Sequence, residues 1–354
     1  MLTMVNFKKR AVGSRRRRKA GKLKPRIKTG KWKMKGRINS KLVQVVRRVV
    51  VALVVGGLGF MLVGWWWVGH QGGWNGVNNI NVLVVGSENR EVELVSYAPT
   101  KRQLSLLWLG GEVEVPTVWG YGQYRLGVLR DLGIQEGLGL KLLEKSVSDW
   151  LGIPITGTVV VRKLEQEKLG SWNSMKWQLL RSTRGDLGIA DKVKLFRATA
   201  DIYQSQVTSD DLMVGSWYKS EFNPAGDRVV RPVAERINKL TRMYLQDEQV
   251  VGVAGREVAV VNATSHEGLA TRAATSLQSM GYDVVNITNG KEMKQQSELR
   301  VAPEVMEQKY YLEPMEKVFG IEPMVLAEVE TKYRADVVLL VGEDYYQLWY
   351  GNGE

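Results

Sequence analysis

An uninterrupted run of twenty uncharged residues, from Val49 to Val68, constrains the fold of this chain more than any other feature. An α-helix rises about 1.5 Å per residue, so a run of this length spans roughly 30 Å, the thickness of the hydrocarbon core of a bilayer. Three tryptophans, residues 65–67, stand near its end, and amphipathic rings favour the headgroup level of a membrane. We therefore predict a transmembrane helix over residues 49–68.

A buried core helix and a cleaved signal peptide both fit this apolar run less well. A helix buried in a protein core seldom stays wholly apolar for so long beside a block of basic residues. A cleaved signal peptide has a short basic region and an apolar stretch of about 7–15 residues that ends in small side chains. Here the preceding region is long, and the three tryptophans occupy the place of a cleavage site.

The basic residues are distributed unevenly along the chain. Residues 1–48 hold nineteen of the 50 Lys and Arg residues and none of the 37 Asp and Glu residues, the first of which is Glu88. The remainder carries 31 basic and 37 acidic residues, so the net charge of +13 belongs to the tail and not to the folded part. The tail has few large apolar residues and no helical period, which predicts a disordered segment.

The excess of Lys and Arg before the apolar run predicts the orientation of the chain. Such residues stay on the cytoplasmic side, so we expect a single-pass protein of the cell membrane whose C-terminal domains are extracellular. A basic cluster beside a membrane attracts anionic lipid at roughly 1 kcal/mol per residue close to the surface. Nucleic acid would also attract the tail, but membrane topology accounts for it, and we predict no nucleic-acid partner.

The cysteine and histidine content excludes several classes of site. There is no cysteine, and the two histidines are His70 and His266. A disulfide framework, a thiolate metal site and a cysteine nucleophile are therefore excluded. With only two histidines, the chain has few candidates for the histidine of a catalytic triad. We expect chemistry without a His- or Cys-bound metal, or no chemistry.

The first part after the apolar run has the pattern of an α/β domain, which we place at residues 78–215. Short apolar runs rich in branched residues predict strands. Apolar residues at steps of three and four predict helices from Leu140 to Trp150 and from Ile189 to Tyr203. The strands are expected at residues 80–86, 92–98, 103–108, 112–115 and 158–161.

A turn-rich stretch around residues 222–227 separates this part from a second one. We predict a linker with a helix over residues 216–250, a plausible hinge. Beyond it, strands at residues 258–262, 282–287 and 336–342 alternate with helices at residues 269–280 and near 313–319. Strand, helix and strand in this order favour a second, small α/β domain over residues 256–346.

The second domain carries a recognisable pattern. It consists of a strand ending at Asn262, then Thr264, residues 268–270, an alanine-rich helix, Gly281, and a closing strand at residues 336–341 before Gly342 and Asp344-Tyr345. This pattern resembles the C-terminal domain found in the LytR-CpsA-Psr family of bacterial cell-envelope proteins. The resemblance implies a small exported module that binds or positions a partner.

The first domain is similar to the catalytic domain of the same family. The similar segments are the strand beginning at Asn81 and residues 87–90, 113–116, 120–125 and 142–155. In the members that act, this α/β domain transfers a glycopolymer from a polyprenyl pyrophosphate carrier to peptidoglycan. Together with the transmembrane helix predicted over residues 49–68, the resemblance implies an α/β fold with a degenerate LytR-CpsA-Psr-like α/β domain and a small C-terminal α/β domain.

The chain departs from the family's catalytic pattern. Glu88 and Arg90 stand where the family has an Asp and an Arg after the first strand. The family's Ser-Asp-Thr and Pro-Arg-Asp segments have no counterpart here. Its later Arg/Asp motif is represented at best by Arg181, Arg184, Asp186 and Arg197.

The arginines that remain define a candidate binding site. A pyrophosphate is held by paired guanidinium groups, usually with a carboxylate that binds a divalent ion. Because most of the family's carboxylates are missing, we assign neither a metal site nor catalytic residues. The alternative is that these arginines are solvated surface residues that do not converge. The candidate anion- or pyrophosphate-binding residues are Glu88, Arg90, Arg102, Arg125, Arg181 and Arg184.

Three functions from different classes are compatible with these patterns. We favour a membrane-anchored envelope protein that binds or positions cell-wall glycopolymer or its polyprenyl carrier. The first alternative is an active phosphotransferase that attaches glycopolymer to peptidoglycan, and only this alternative would need Mg²⁺. The second alternative is an envelope scaffold whose C-terminal domain docks another protein.

Overall fold

The computed structural model describes residues 47–51, 53–57, 73–165, 171–223, 226–251, 256–325 and 333–351. The chain divides into two units, Met1–Gly59 and Phe60–Glu354. In the first unit, residues 47–51 and 53–57 are helical and exposed, and we call them α1. No helix among the described residues is long and apolar enough to cross a membrane. Residues 52 and 58–68 of the predicted transmembrane helix, and residues 1–46 of the basic tail, lie outside the described residues.

The second unit is a mixed α/β structure, as the hydrophobic pattern predicts. Its strands are β1 (Ile80–Gly86), β2 (Val92–Ala98), β3 (Gln103–Trp108), β4 (Glu114–Thr117), β5 (Gly122–Arg125), β6 (Gly157–Val161), β7 (Val207–Asp211), β8 (Tyr218–Phe222), β9 (Arg228–Pro232), β10 (Glu257–Asn262), β11 (Asp283–Asn289), β12 (Glu298–Val301), β13 (Pro323–Val325) and β14 (Val337–Val341). Its helices are α2 (Leu129–Gln135), α3 (Lys141–Leu151), α4 (Trp172–Arg181), α5 (Ile189–Ala198), α6 (Ala234–Tyr244), α7 (Glu248–Val251), α8 (Leu269–Met280), α9 (Pro303–Met306), α10 (Lys309–Phe319) and α11 (Glu343–Tyr350).

The first sheet has the strand order β6-β1-β2-β3-β7. Strand β1 runs parallel to β6 and antiparallel to β2, so the carboxyl ends of β1 and β6 lie side by side. Alternate residues of β1 enter two different cores because side chains alternate across a strand. Leu83 packs on the side of α3, whereas Val84 packs on the side of α4 and α5. The sheet is therefore covered by helices on both faces.

Strand β7 was not predicted. Its sequence, VTSDD, is polar and lacks an apolar alternation, but it pairs in parallel with β3 at the edge of the sheet. The predicted strands at residues 80–86, 92–98 and 103–108 are confirmed as β1, β2 and β3. Their sequences are rich in apolar residues, which matches strands whose two faces are both buried.

The second sheet has the order β11-β10-β14-β12-β13. Strand β10 lies parallel to both β11 and β14, and helix α8 connects β10 to β11. The predicted strands near residues 258–262, 282–287 and 336–342 are confirmed as these three. Strands β12 and β13 were not predicted, because their four and three residues are too few to show a hydrophobic pattern.

The two sheets share one hydrophobic core within the second unit. It continues from Leu83 of β1 through Ile237 of α6 to Leu339 of β14. The residues of the predicted linker thus form the β8–β9 hairpin and a helix that packs between α3 and α8. Across the junction, Arg272 Nε of α8 donates a hydrogen bond of 2.9 Å to Asp149 Oδ1 of α3, whose side chain is 3 % exposed.

Candidate functional site

An open groove of about 770 Å³ lies at the carboxyl ends of the parallel strands β1 and β6. The β1–β2 turn contributes Ser87 and Glu88 to its wall. The end of β6 contributes residues 160–163, and the end of α4 with the following loop contributes Gln178 and residues 181–184. Ligands of open α/β sheets commonly bind outside the carboxyl ends of the strands, so the groove occupies a favourable position.

Backbone hydrogen bonds hold the β1–β2 turn against β6. Ser87 N donates to Val161 O at 2.8 Å, and Glu88 N donates to Arg162 O at 3.0 Å. A Cβ at Gly86 would displace the side chain of Asn89 and would lie 3.2 Å from Leu164 N, so the turn favours glycine there. The turn therefore presents Glu88 beside the residues that follow β6.

The loop after α4 runs along the open edge of β6 and forms the opposite wall. Val160 N donates to Arg184 O at 3.1 Å, and Ser182 Oγ donates to Val160 O at 2.8 Å. Lys192 Nζ of α5 donates to Ser182 O at 2.9 Å and fixes the loop from behind. Residue 185 has a φ of +122°, which favours glycine. These contacts place Arg184 at the rim of the groove.

The groove is strongly cationic. Its lining includes Arg162, Lys163, Arg181 and Arg184, against the single carboxylate of Glu88. Arg162 Nε donates to Glu88 Oε1 at 2.6 Å, and this hydrogen bond raises the pKa of Arg162. Both side chains of this pair are exposed, so the ion pair is weak and an incoming anion can replace Glu88. The guanidinium carbon of Arg181 lies 5.6 Å from the centre of the Trp177 ring, which orients it.

A pair of carboxyl groups supports the loop from within the domain. Thr158 Oγ1 donates to Glu144 Oε1 at 2.6 Å, and Thr158 N donates to Asp186 Oδ1 at 2.7 Å. Burial, followed by the hydrogen bond with Asp186, raises the pKa of Glu144 well above its ordinary value. Through their hydrogen bonds with Thr158, the two carboxyl groups link α3, β6 and the loop after α4.

The structure brings three of the six sequence-predicted residues together and separates the other three. Glu88, Arg181 and Arg184 line the groove. Arg90, two residues after Glu88, turns away and pairs with Asp131 Oδ2 of α2 at 3.2 Å.

Arg102 and Arg125 lie elsewhere on the domain. Arg102 stands in the β2–β3 turn, at the end of the sheet opposite to the β1–β2 turn, with a φ of +51°. Arg125 ends β5 of the β4–β5 hairpin, opposite Glu114, and is exposed. These residues do not contribute to the groove lining.

Sequence reasoning missed Arg162 and Lys163. A signal was present, because both directly follow the apolar strand β6, and residues that follow parallel strands meet at one edge of a sheet.

Within the described part of the chain, no group of three or more His, Cys, Asp and Glu side chains could hold a metal ion.

One family model matches the C-terminal part of the chain. Residues 256–345 match the family described as LytR cell envelope-related transcriptional attenuator. No curated protein shows significant similarity to the chain.

Solved structures similar to this chain include the LytR-CPS2A-psr family protein YwtF (TagT) with bound octaprenyl pyrophosphate lipid, at 13% identity and a TM-score of 0.35, covering 49% of this chain and 92% of that chain. TagT of B. subtilis gives 12% identity, a TM-score of 0.35 and the same coverage. TagV of B. subtilis gives 9% identity and a TM-score of 0.34, covering 58% of this chain and 98% of that chain. The match at residues 256–345 confirms the resemblance seen in the pattern around Asn262 and Gly268, and it extends to this C-terminal part of the chain.

Proposed function

We propose that this protein binds the phosphate groups of a cell-wall glycopolymer, or of its polyprenyl carrier, in the basic groove and positions that polymer in the cell envelope. The observation that carries the proposal is the convergence of four cationic side chains on one open space, where residues 162–163 face residues 181 and 184. Arginine forms bidentate, charge-assisted hydrogen bonds with phosphate oxygens, and lysine adds a point charge.

The form of the groove favours a polymer or a lipid headgroup over a small enclosed ligand. It is open to solvent and is lined mainly by polar side chains. Glu88 is the one carboxylate in its lining, so we infer binding rather than transfer. The family description of the C-terminal domain supports a place in the cell envelope.

The proposal keeps the topology expected from the sequence, with residues 1–48 in the cytoplasm and the groove outside. Protease added to intact cells should then digest the C-terminal domains and spare the basic tail. Protection of the C-terminal domains in intact cells, with cleavage only after lysis, would contradict this orientation.

The arginines of the groove give a direct test of phosphate binding. In the purified full chain, the double variant Arg181→Gln/Arg184→Gln should bind inorganic pyrophosphate about 30-fold more weakly. Each contact is expected to contribute on the order of 1 kcal/mol at an open surface, and 1.4 kcal/mol corresponds to about tenfold in Kd. Isothermal titration calorimetry measures the change.

The matched control is the double variant Arg102→Gln/Arg125→Gln, which removes the same charge outside the groove. It should leave the affinity for pyrophosphate within about twofold, because charges more than roughly 10 Å apart are largely screened at 0.1 M salt. Equal losses in the two double variants, or no binding by the unaltered chain, would refute the proposal.

A further inference from the structure

A second cavity lies where the first sheet domain meets helix α8 of the C-terminal domain. It has a volume of about 400 Å³ and is bounded by the β4–β5 hairpin, the ends of α3 and β9, the start of α6 and one face of α8. We propose that this interdomain cleft binds a neutral, hydroxyl-rich sugar unit of a glycan. The inference rests on the proposed function, since the glycan would belong to the polymer whose phosphates occupy the basic groove.

The charged groups of the cleft are already neutralised. Arg272 is paired with Asp149, and Arg231 Nη2 lies 3.2 Å from Glu114 Oε2. These four are the charged residues in the lining, so the cleft offers an anion no uncompensated positive charge. In this it differs from the basic groove, and a neutral ligand fits it better.

One stripe of α8 faces the cleft. Residues 272, 275, 276 and 279 follow at steps of three and four, the spacing that places side chains on one helix face. Ser276 and Ser279 are each 6 % exposed, and their hydroxyls form no hydrogen bond with residues that the structure describes. Two hydroxyls that line a cavity and have no partner among the described residues are suited to the donors and acceptors of a polyol.

Strand β5 and helix α6 supply amide groups to the cleft. Gln123 of β5 and Asn238 of α6 are exposed, line the cleft, and make no side-chain hydrogen bond within the described segments. An amide offers both donors and acceptors, and a sugar hydroxyl acts as both. The cleft therefore presents polar partners from β5, α6 and α8 to the same space.

An apolar surface completes the cleft. The lining includes Trp150, whose ring centre lies 6.5 Å from that of Tyr218, together with Pro116 and Pro232. Pyranose rings have polar edges and C–H faces, so they bind where an aromatic or apolar wall lies beside hydrogen-bonding groups. An apolar wall does not stabilise the charged oxygens of a phosphate or a free carboxylate.

The backbone keeps the space between α3 and α8 narrow but open. Gly152 ends α3 with a φ of +66°, and a Cβ there would lie 2.8 Å from the Cβ of Ser279. The cavity volume falls within the range of roughly 300–1,000 Å³ typical of small-molecule sites. The cleft thus has the size and lining for a sugar residue.

Saturation-transfer NMR on the full chain tests this inference, with neutral oligosaccharides of glucose, galactose and N-acetylglucosamine as probes. We expect at least one of them to bind, and the double variant Gln123→Ala/Asn238→Ala to weaken that binding about tenfold. Both side chains are exposed, so the variant should fold. The control variant Gln135→Ala/Gln278→Ala removes two exposed amides outside the cleft and should leave binding unchanged.

The two sites can fail separately. Removing the cleft amides should not change pyrophosphate affinity, and Arg181→Gln/Arg184→Gln should not change sugar affinity. If no neutral oligosaccharide binds, or if the cleft variant binds as the unaltered chain does, the cleft inference is wrong even where pyrophosphate binds the groove. Sugar binding without pyrophosphate binding would instead refute the proposal of phosphate binding in the groove and leave the proposal of sugar binding in the cleft standing.

Discussion

Replacing Glu93 with glutamine is expected to raise the free energy of unfolding at pH 8 by about 3 kcal/mol. Glu93 lies in the centre of the first sheet, between Val84 of β1 and Trp108 of β3, and is 2 % exposed. Its Oε1 atom has no hydrogen-bond partner among the residues that the structure describes. Burial raises the pKa of this carboxyl to about 7, from an ordinary value of 4.5.

The direction of the pH dependence follows from these two pKa values. Between pH 4.5 and about 7 the folded chain keeps the proton and the unfolded chain releases it. Stability contributed by Glu93 is therefore complete below pH 4.5 and is lost as the pH rises through 7. Glutamine does not ionise, so the variant should lose this dependence.

Urea unfolding of the full chain at several pH values measures the effect. The stability gain of Glu93→Gln should be near zero at pH 4.5 and reach its full size by pH 8. The exposed Glu267→Gln provides the matched control and should show no such growth. A gain that is absent at pH 8, or equal at both pH values, would contradict the account of Glu93.

Gly185→Ala is expected to lower the free energy of unfolding by about 3 kcal/mol, through backbone strain and overpacking together. A Cβ at this position would lie 2.2 Å from Thr158 O and 3.0 Å from the Cα of Val159. Backbone atoms of a paired strand cannot yield, so the loop after α4 must leave the edge of β6. Because that loop carries Arg184, the variant should also lose affinity for pyrophosphate by about tenfold.

Gly137→Ala is the matched control for this prediction. Gly137 also has a positive φ, +75°, but no atom lies within 4 Å of its added Cβ. The control should lose only about 1 kcal/mol, the cost of a left-handed backbone, and should bind pyrophosphate normally. If Gly185→Ala binds pyrophosphate as tightly as the unaltered chain, the loop does not form the wall of the site.

The sequence predicts those strands and helices that show a clear hydrophobic pattern within their own segment. Strand β1 is rich in branched apolar side chains, and α8 shows apolar residues at helical steps. Strand β7 has no such pattern, because its pairing with β3 supplies the stability that its polar side chains do not. Tertiary context of this kind cannot be inferred from a single polar segment.

The sequence could predict those residues of the candidate site that directly follow a strand. Glu88 and Arg162 each follow a strand, and the parallel pairing of β1 with β6 brings them together. Arg90 is only two residues from Glu88, but the turn directs its side chain to Asp131 on the other side of the sheet. Sequence spacing alone does not give that direction.

The interdomain cleft could not be predicted from spacing at all. It joins Asp149 of α3, Arg231 of β9 and Arg272 of α8, which are far apart in the chain and are brought together by the shared core. Each of these residues is unremarkable in its own segment. The mutual packing of α3, α6 and α8 makes them neighbours.

A crystal structure of the full chain grown with inorganic pyrophosphate tests the central claim most directly. We predict pyrophosphate in the basic groove, within hydrogen-bond distance of the guanidinium groups of Arg181 and Arg184. Pyrophosphate bound at Arg90, Arg102 or Arg125, with the groove empty, would contradict the proposed function.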